Sequence, residues 1–187
     1  MNGDIDRVLI TEAQIAARIR ELAGEIGTAY PEPADGIVIV PVLSGSVFFL
    51  VDLVRLLPMK MRIGMVAVSS YPGEATRSQG AKLVSGRFPD VRDRHVLLVD
   101  DILDSGGTLR LVRSVMERAG ARSIKTAVLL RKVSRAPVDV PADFVGFDIE
   151  DRFVVGYGLD YNDYYRNLPY IAVLRPELYK VAESCPV

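Results

Sequence analysis

One stretch constrains this chain more than any other: Val96-Leu97-Leu98-Val99-Asp100-Asp101-Ile102-Leu103-Asp104-Ser105-Gly106-Gly107-Thr108-Leu109. Four apolar residues in a row read as a strand buried on both faces, as in a parallel sheet. They run into two adjacent carboxylates. A third carboxylate follows, and then a Ser-Gly-Gly-Thr loop opens a helix. In open α/β sheets, ligands bind outside the carboxyl ends of the strands, which is where this motif falls. Small loop residues let backbone N–H groups converge on an anion. The helix behind them adds unpaired N–H groups and the positive end of its dipole, and Ser105 and Thr108 add hydroxyl donors. The result is a phosphate cradle without a lysine. No Gly-Lys-Ser/Thr string occurs, which argues against a P-loop ATPase, and no GxGxxG occurs, which disfavours a dinucleotide site.

The flanking sequence supplies the rest of an α/β domain. Thr11-Glu12-Ala13-Gln14 is a capping-box pattern. Ile15, Ile19, Leu22 and Ile26 follow at helical spacing and predict a helix over 12–27. After Pro31, Pro33 and Gly36, Ile37 to Leu43 reads as a buried strand, and Ser44-Gly45-Ser46 turns the chain into a helix over 46–57. Lys60 to Ser70 reads as the next strand. Residues 71–80, YPGEATRSQG, are polar and nearly free of aliphatics, the composition of a long surface loop or lid. Further strands are expected near 81–85, 95–100, 123–130, 144–147 and 153–157. A helix over 107–119 carries Leu111, Val112, Val115, Met116 and Ala119, with Gly120 where a C-terminal cap belongs. Alternating strands and helices indicate one domain spanning residues 1–187, with a mainly parallel sheet flanked by helices.

Composition narrows the function. Of 187 residues, 49% are apolar and the net charge is −1, so disorder is excluded over most of the chain. That charge also argues against wholesale nucleic-acid binding, which wants a broad basic surface; a phosphorylated small molecule needs only local donors. Cys185 is the single cysteine, which suits a reducing compartment. Ile37 to Leu57 is interrupted by Ser44, Gly45, Asp52 and Arg55 and does not read as a membrane span, and the N-terminus is acidic rather than signal-like. A cytoplasmic protein is expected.

Asp100 and Asp101, as neighbours on a strand, point to opposite faces, which sets them apart for chelating a single ion. They could hold ribose hydroxyls or act on a metal's water shell. Asp104 lies above the strand end, where it could serve chemistry or simply cap the following helix. The whole string resembles the phosphoribosyl pyrophosphate (PRPP) motif of type I phosphoribosyltransferases. Phe144-Val145-Gly146-Phe147, then Phe153-Val154-Val155-Gly156-Tyr157-Gly158-Leu159-Asp160-Tyr161-Asn162 and Tyr165-Arg166-Asn167-Leu168-Pro169-Tyr170, resemble the purine-binding end of the hypoxanthine(-guanine) phosphoribosyltransferases. The likeness runs from about Ile10 to Tyr179.

The resemblance implies the type I phosphoribosyltransferase fold with a small hood over the base, and transfer of phosphoribose from PRPP to a 6-oxopurine with release of pyrophosphate. Residues Asp104, Ser105, Gly106, Gly107 and Thr108 would grip the 5′-phosphate. Asp100 and Asp101 would contact the ribose hydroxyls directly or through Mg²⁺, and Asp160 would help hold a second magnesium. Arg166 would bind pyrophosphate. Lys132 would donate to the exocyclic oxygen of the purine and Phe153 would stack on the base, flanked by Arg152 and Val154. Asp104, the candidate catalytic residue, is expected beside the imidazole ring of the purine, where a carboxylate can accept the ring proton as general base or stabilise the positive charge building on purine and sugar. Ser70 and Tyr71 would open the lid. A homodimer or homotetramer is implied, with no nucleic-acid or membrane partner.

One departure stands out. The family often carries Lys-Gly where this chain has Ser44-Gly45, so the backbone remains available to pyrophosphate but a fixed charge is missing. Gly107 is also smaller than the usual residue. Two alternatives stay open: a PRPP-binding regulator that has lost catalysis, and a phosphoribosyltransferase for xanthine or adenine. The first is disfavoured by the intact Asp104 and by the lack of a DNA-binding domain.

Overall fold

The long apolar runs become the interior of a sheet. Ile37–Leu43 (β2), His95–Leu103 (β6) and Ser123–Lys132 (β7) lie side by side and parallel, in the order β2-β6-β7. Phe144–Ile149 (β8) adds in parallel beyond β7, and Met61–Ile63 (β3) and Val66–Ser69 (β4) pair with β2 on its other side. Lys82–Ser85 (β5) closes that edge antiparallel to β4. These elements belong to a computed structural model that describes residues 2–30, 36–69, 82–85 and 89–179. The expected lid, with Ser70 and Tyr71, and Cys185 lie outside the described residues. Among the described residues, no helix is long and apolar enough to cross a membrane.

Side-chain alternation along the strands sorts the core into two layers. Ile37, Ile39, Leu97, Val99, Ala127 and Leu129 face the helices Glu12–Ala29 (α1) and Val47–Val54 (α2), packing on Ile15, Ile19, Leu22, Ile26, Phe49 and Leu53. Val38, Val40, Val42, Val96, Leu98 and Val128 face the opposite side, against Leu109, Val112 and Met116 of Gly107–Arg118 (α3). The helix that follows β2 and the helix that follows β6 therefore lie on opposite faces of the sheet.

Three expectations change. The single strand over Lys60 to Ser70 is two strands, broken at Gly64. There the backbone N–H donates to the Ile39 carbonyl at 2.9 Å, and a Cβ would stand 2.2 Å from Pro89 Cγ. The break lets β3 pair with Ile37–Ile39 and β4 with Val42–Leu43. The strands over 95–100 and 123–130 run on to Leu103 and Lys132, so the carboxylates sit within β6 rather than after it. The third change is a small antiparallel sheet built from Ile5–Ile10 (β1), Val154–Val155 (β9) and Ile171–Leu174 (β10), in the order β1-β10-β9. The sequence pointed only to β9. The partners of β1 and β10 are far along the chain, which no local pattern reports. A last helical turn, Pro176–Tyr179 (α4), follows β10.

Helix termini follow the sequence closely. Gln14 N donates to Thr11 Oγ1 at 3.3 Å and Thr11 N donates to Gln14 Oε1 at 2.9 Å, a complete capping box on α1. Gly120, just past α3, has φ +85°, the left-handed conformation expected after a helix. Replacing an N-cap threonine by alanine costs about 1 kcal/mol. Thr11→Ala should therefore lower the urea midpoint by that equivalent with the m-value unchanged, as read by circular dichroism.

Candidate active site

β2 and β6 run in register from Ile37↔His95 to Pro41↔Val99 and then part. Past that point β2 turns toward β4 while β6 stays with β7. The two carboxyl ends open into a cleft of about 710 Å³. One wall is Val42 to Gly45, and the other is Asp100, Asp101 and the loop from Asp104 to Leu109. Arg135 and the Asp160, Asn162, Asp163 and Arg166 group of the β9–β10 connection complete it.

The cradle is built as its residues suggested. Ser105, Gly106, Gly107 and Thr108 all line the cleft at the start of α3. Gly106 is the N-cap, with φ +72° and no side-chain capping bond. A Cβ there would meet Pro137 Cγ at 2.8 Å, so glycine is required by both conformation and space. Because the cap is Gly106, Asp104 does not cap α3.

Asp100 and Asp101 are neighbours on β6, yet both line the same cleft, past the last pair of β2 with β6. Asp101 N donates to Asp100 Oδ1 at 3.0 Å, and Ile102 N donates to Asp101 Oδ1 at 2.8 Å. Burial, and then the neighbouring Asp101 charge, push the Asp100 carboxyl well above the usual range. Burial also raises Asp101, against hydrogen bonds from Asp100 and backbone N–H groups and against the positive charge of Arg166. Two oxygen donors whose ionisation is opposed by burial are a place that a divalent cation would relieve. Among the described residues, no three acids, histidines or cysteines cluster closely enough to cage an ion alone. Magnesium commonly takes one or two carboxylates and completes its shell with water and substrate phosphates, and the pair fits that mode.

The remaining wall is fastened by glycines and one arginine. At Gly45 a Cβ would lie 1.7 Å from Asp101 Oδ2, and at Gly158 (φ +99°) one would lie 2.0 Å from the Gly45 carbonyl oxygen. The Ser44-Gly45 turn, whose Leu43–Ser44 peptide is cis, is thus sandwiched between Asp101 and the β9–β10 connection. Tyr157 ties that connection to α2 by donating its hydroxyl hydrogen to Asp52 Oδ2 at 2.5 Å. Arg166 donates to the Gly158 carbonyl at 2.7 Å and pairs with Asp160 at 2.8 Å and Asp163 at 3.0 Å. Asp160 Oδ2 also accepts from Asp163 N at 2.9 Å, so this acid stands across the cleft, bound to Arg166.

The residues expected at the base lie beside this cleft rather than in its lining. Val154 is buried in β9, paired with Val173. The Phe153 ring stacks on Tyr179 with centroids 4.9 Å apart and meets Tyr161 edge-on at 5.5 Å. Arg152 is exposed, 3.6 Å from Glu150. Lys132, whose charged neighbourhood in the sequence suggests a solvated edge, is 8% exposed at the end of β7. Its Nζ lies 3.1 Å from Asp104 Oδ2, and this ion pair joins the cradle to the expected base-binding segment. Three groups escaped the sequence reading: Arg135, Asp151 and Asp163. Arg135 Nε lies 2.5 Å from Asp104 Oδ1, which is buried under this ion pair. The charged run around Lys132 was the signal for Arg135; nothing local marked Asp151.

Comparison with known proteins agrees with this geometry. The phosphoribosyl transferase domain profile matches residues 9–162. The chain is 39% identical over 180 residues to the hypoxanthine-guanine phosphoribosyltransferase of Bacillus subtilis, covering 96% of this chain and 99% of that protein. It is 42% identical over 164 residues to the hypoxanthine phosphoribosyltransferase of Salmonella typhimurium, covering 88% and 92%. The crystal structure of a hypoxanthine phosphoribosyltransferase from Staphylococcus aureus superposes with a TM-score of 0.88 at 35% identity, covering 96% of each chain. With an uncapped cradle at the strand switch, paired carboxylates beside it and these relatives over nearly its whole length, the chain belongs to the phosphoribosyltransferase family, among its hypoxanthine-guanine members.

Proposed function

We propose that the protein is a cytoplasmic purine-salvage enzyme. It transfers the phosphoribosyl group of PRPP to hypoxanthine or guanine, giving IMP or GMP and pyrophosphate. The observation that carries this reading is the Lys132–Asp104 ion pair at 3.1 Å, which sets a donor for the exocyclic purine oxygen beside a carboxylate over the phosphate cradle.

The 5′-phosphate sits in the loop from Asp104 to Thr108, where backbone N–H groups, the α3 dipole and two hydroxyls meet it. The base lies against Phe153, whose ring offers an apolar face to a flat heterocycle. Lys132 can only donate, so it favours a 6-oxo group over the 6-amino group of adenine. The bond from the anomeric carbon to the pyrophosphate oxygen breaks, and a bond to an imidazole nitrogen of the purine forms. The proton leaving that ring passes to the Asp104 carboxylate. Arg166, held by Asp160, Asp163 and the Gly158 carbonyl, offsets charge on the departing pyrophosphate. Ser44 supplies no charge there, so the Ser44-Gly45 turn contributes backbone donors only. Asp100, Asp101 and Asp160 would hold magnesium, which neutralises pyrophosphate charge when bound.

The direct test follows the ultraviolet spectrum of protein, PRPP and Mg²⁺ with hypoxanthine, guanine, xanthine and adenine in turn. Turnover of the first two supports the reading. PRPP binding with no turnover of any base would make the chain a PRPP-binding regulator, and preference for xanthine or adenine would reassign its substrate. Activity should vanish in excess chelator and return with Mg²⁺. Asp104→Asn keeps the shape but cannot take a proton, so turnover should fall roughly a hundred- to ten-thousandfold while PRPP binding persists. A loss under about tenfold, with chemistry as the slow step, would leave Asp104 a structural acid. Lys132→Ala removes a charged donor worth about 1.5–3 kcal/mol, so use of 6-oxopurines should weaken about ten- to a hundredfold with PRPP binding little changed.

A further inference from the structure

Lys132 is 8% exposed, and a buried ammonium needs fixed partners. It has two acids beside it, and they hold it differently. Asp151 Oδ1 accepts a hydrogen bond from Nζ at 3.0 Å, whereas the contact with Asp104, at 3.1 Å, is an ion pair without a hydrogen bond. Arg135 spans the same two acids: its Nε lies 2.5 Å from Asp104 Oδ1 and its Nη1 donates to Asp151 Oδ2 at 3.5 Å. Two cations and two acids thus form a closed ring in which the Lys132 hydrogen bond goes to Asp151.

We propose that Asp151 is a positioning residue for base recognition: it anchors Lys132, and with it Arg135, so that Lys132 keeps a free N–H for the purine oxygen instead of closing a hydrogen bond with Asp104. This rests on the reading of Lys132 and Asp104 given above and assigns a role to an acid outside the cleft lining. The anchor is well placed for it. Asp151 follows β8, and Lys132 ends β7 beside it, paired to Ile149 in the ladder. The last rungs of two neighbouring strands therefore set the distance between anchor and donor, so the aim of the ammonium is fixed by the sheet and not by a mobile loop. An ammonium has three N–H groups. One goes to Asp151, one is drawn toward Asp104, and one is left for the base. Without Asp151 the ring is short of one negative charge, and Lys132 has Asp104 as its one remaining acid partner. Closing that bond would occupy the donor and the base together.

The test is steady-state kinetics on the full chain with PRPP, Mg²⁺ and hypoxanthine, for wild type, Asp151→Asn, Lys132→Ala and the double variant. Asp151 is 44% exposed at its side chain, so the isosteric amide should fold, as checked by circular dichroism; Asp151→Ser takes its place if it does not. Asp151→Asn keeps an acceptor for Nζ but removes the charge that strengthens the bond, so kcat/KM for hypoxanthine should fall about tenfold, with KM for PRPP unchanged. Asp151→Glu, which keeps the charge, should recover part of the loss. The double variant should be no worse than Lys132→Ala, since both changes act on one interaction. Equal losses from Asp151→Asn in the wild-type and Lys132→Ala backgrounds would overturn the inference, as would an unchanged kcat/KM. Wild-type protein that transfers nothing to hypoxanthine would instead overturn the functional reading itself, and that result is read before any variant.

Discussion

The parting of β2 and β6 after Pro41 and Val99 is the constraint on which the site depends. Two parallel strands whose following helices pack on opposite faces of a sheet must send their chains apart at the carboxyl edge, and a crevice opens between them. Ile39 and Val99 face α1 and α2, while Val40 and Leu98 face α3. The crevice is therefore a consequence of how the two core layers are filled. Everything with chemical use, from the cradle to the paired acids, is attached to one lip or the other.

Close approach sets the shape of that crevice. Asp101 rests on the α-carbon of Gly45, and the Gly45 carbonyl rests on the α-carbon of Gly158. Three chain segments are stacked with no room for a methyl group between them. The stacking holds the Ser44-Gly45 backbone still beside two acids that burial would prefer to keep neutral. A site of this kind is costly without its ligand and is relieved by positive charge, which is the electrostatic logic of a pocket for a magnesium-bound polyphosphate.

At the other end of the loop the charges are already balanced within the protein. Asp104, Lys132, Arg135 and Asp151 alternate in sign and share one ring of contacts. A partly buried ring like this adds little net stability, because desolvation offsets most of the attraction. What it supplies is orientation. The cleft thus has acids whose ionisation burial opposes on one side and charges paired in advance on the other.

Local pattern carried a great deal of this. The apolar run into Asp100-Asp101 and the Ser-Gly-Gly-Thr turn located the cradle, because strand burial, glycine conformation and helix start are properties of neighbours in sequence. The capping box at Thr11 and the left-handed Gly120 were legible for the same reason. Motif resemblance, and not periodicity, pointed to Lys132 and Arg166. What the folded chain alone decided depends on separations that no window spans. The small sheet unites Ile5–Ile10 with Ile171–Leu174 from the two ends of the chain. Asp100 and Asp101 share one cleft despite their alternation, past the point where β2 leaves β6. Lys132 reads as a surface charge until Asp104, from a different loop, and Asp151, from the end of the next strand, close around it. Sequence sets the conformation each segment prefers; only packing brings distant charges together.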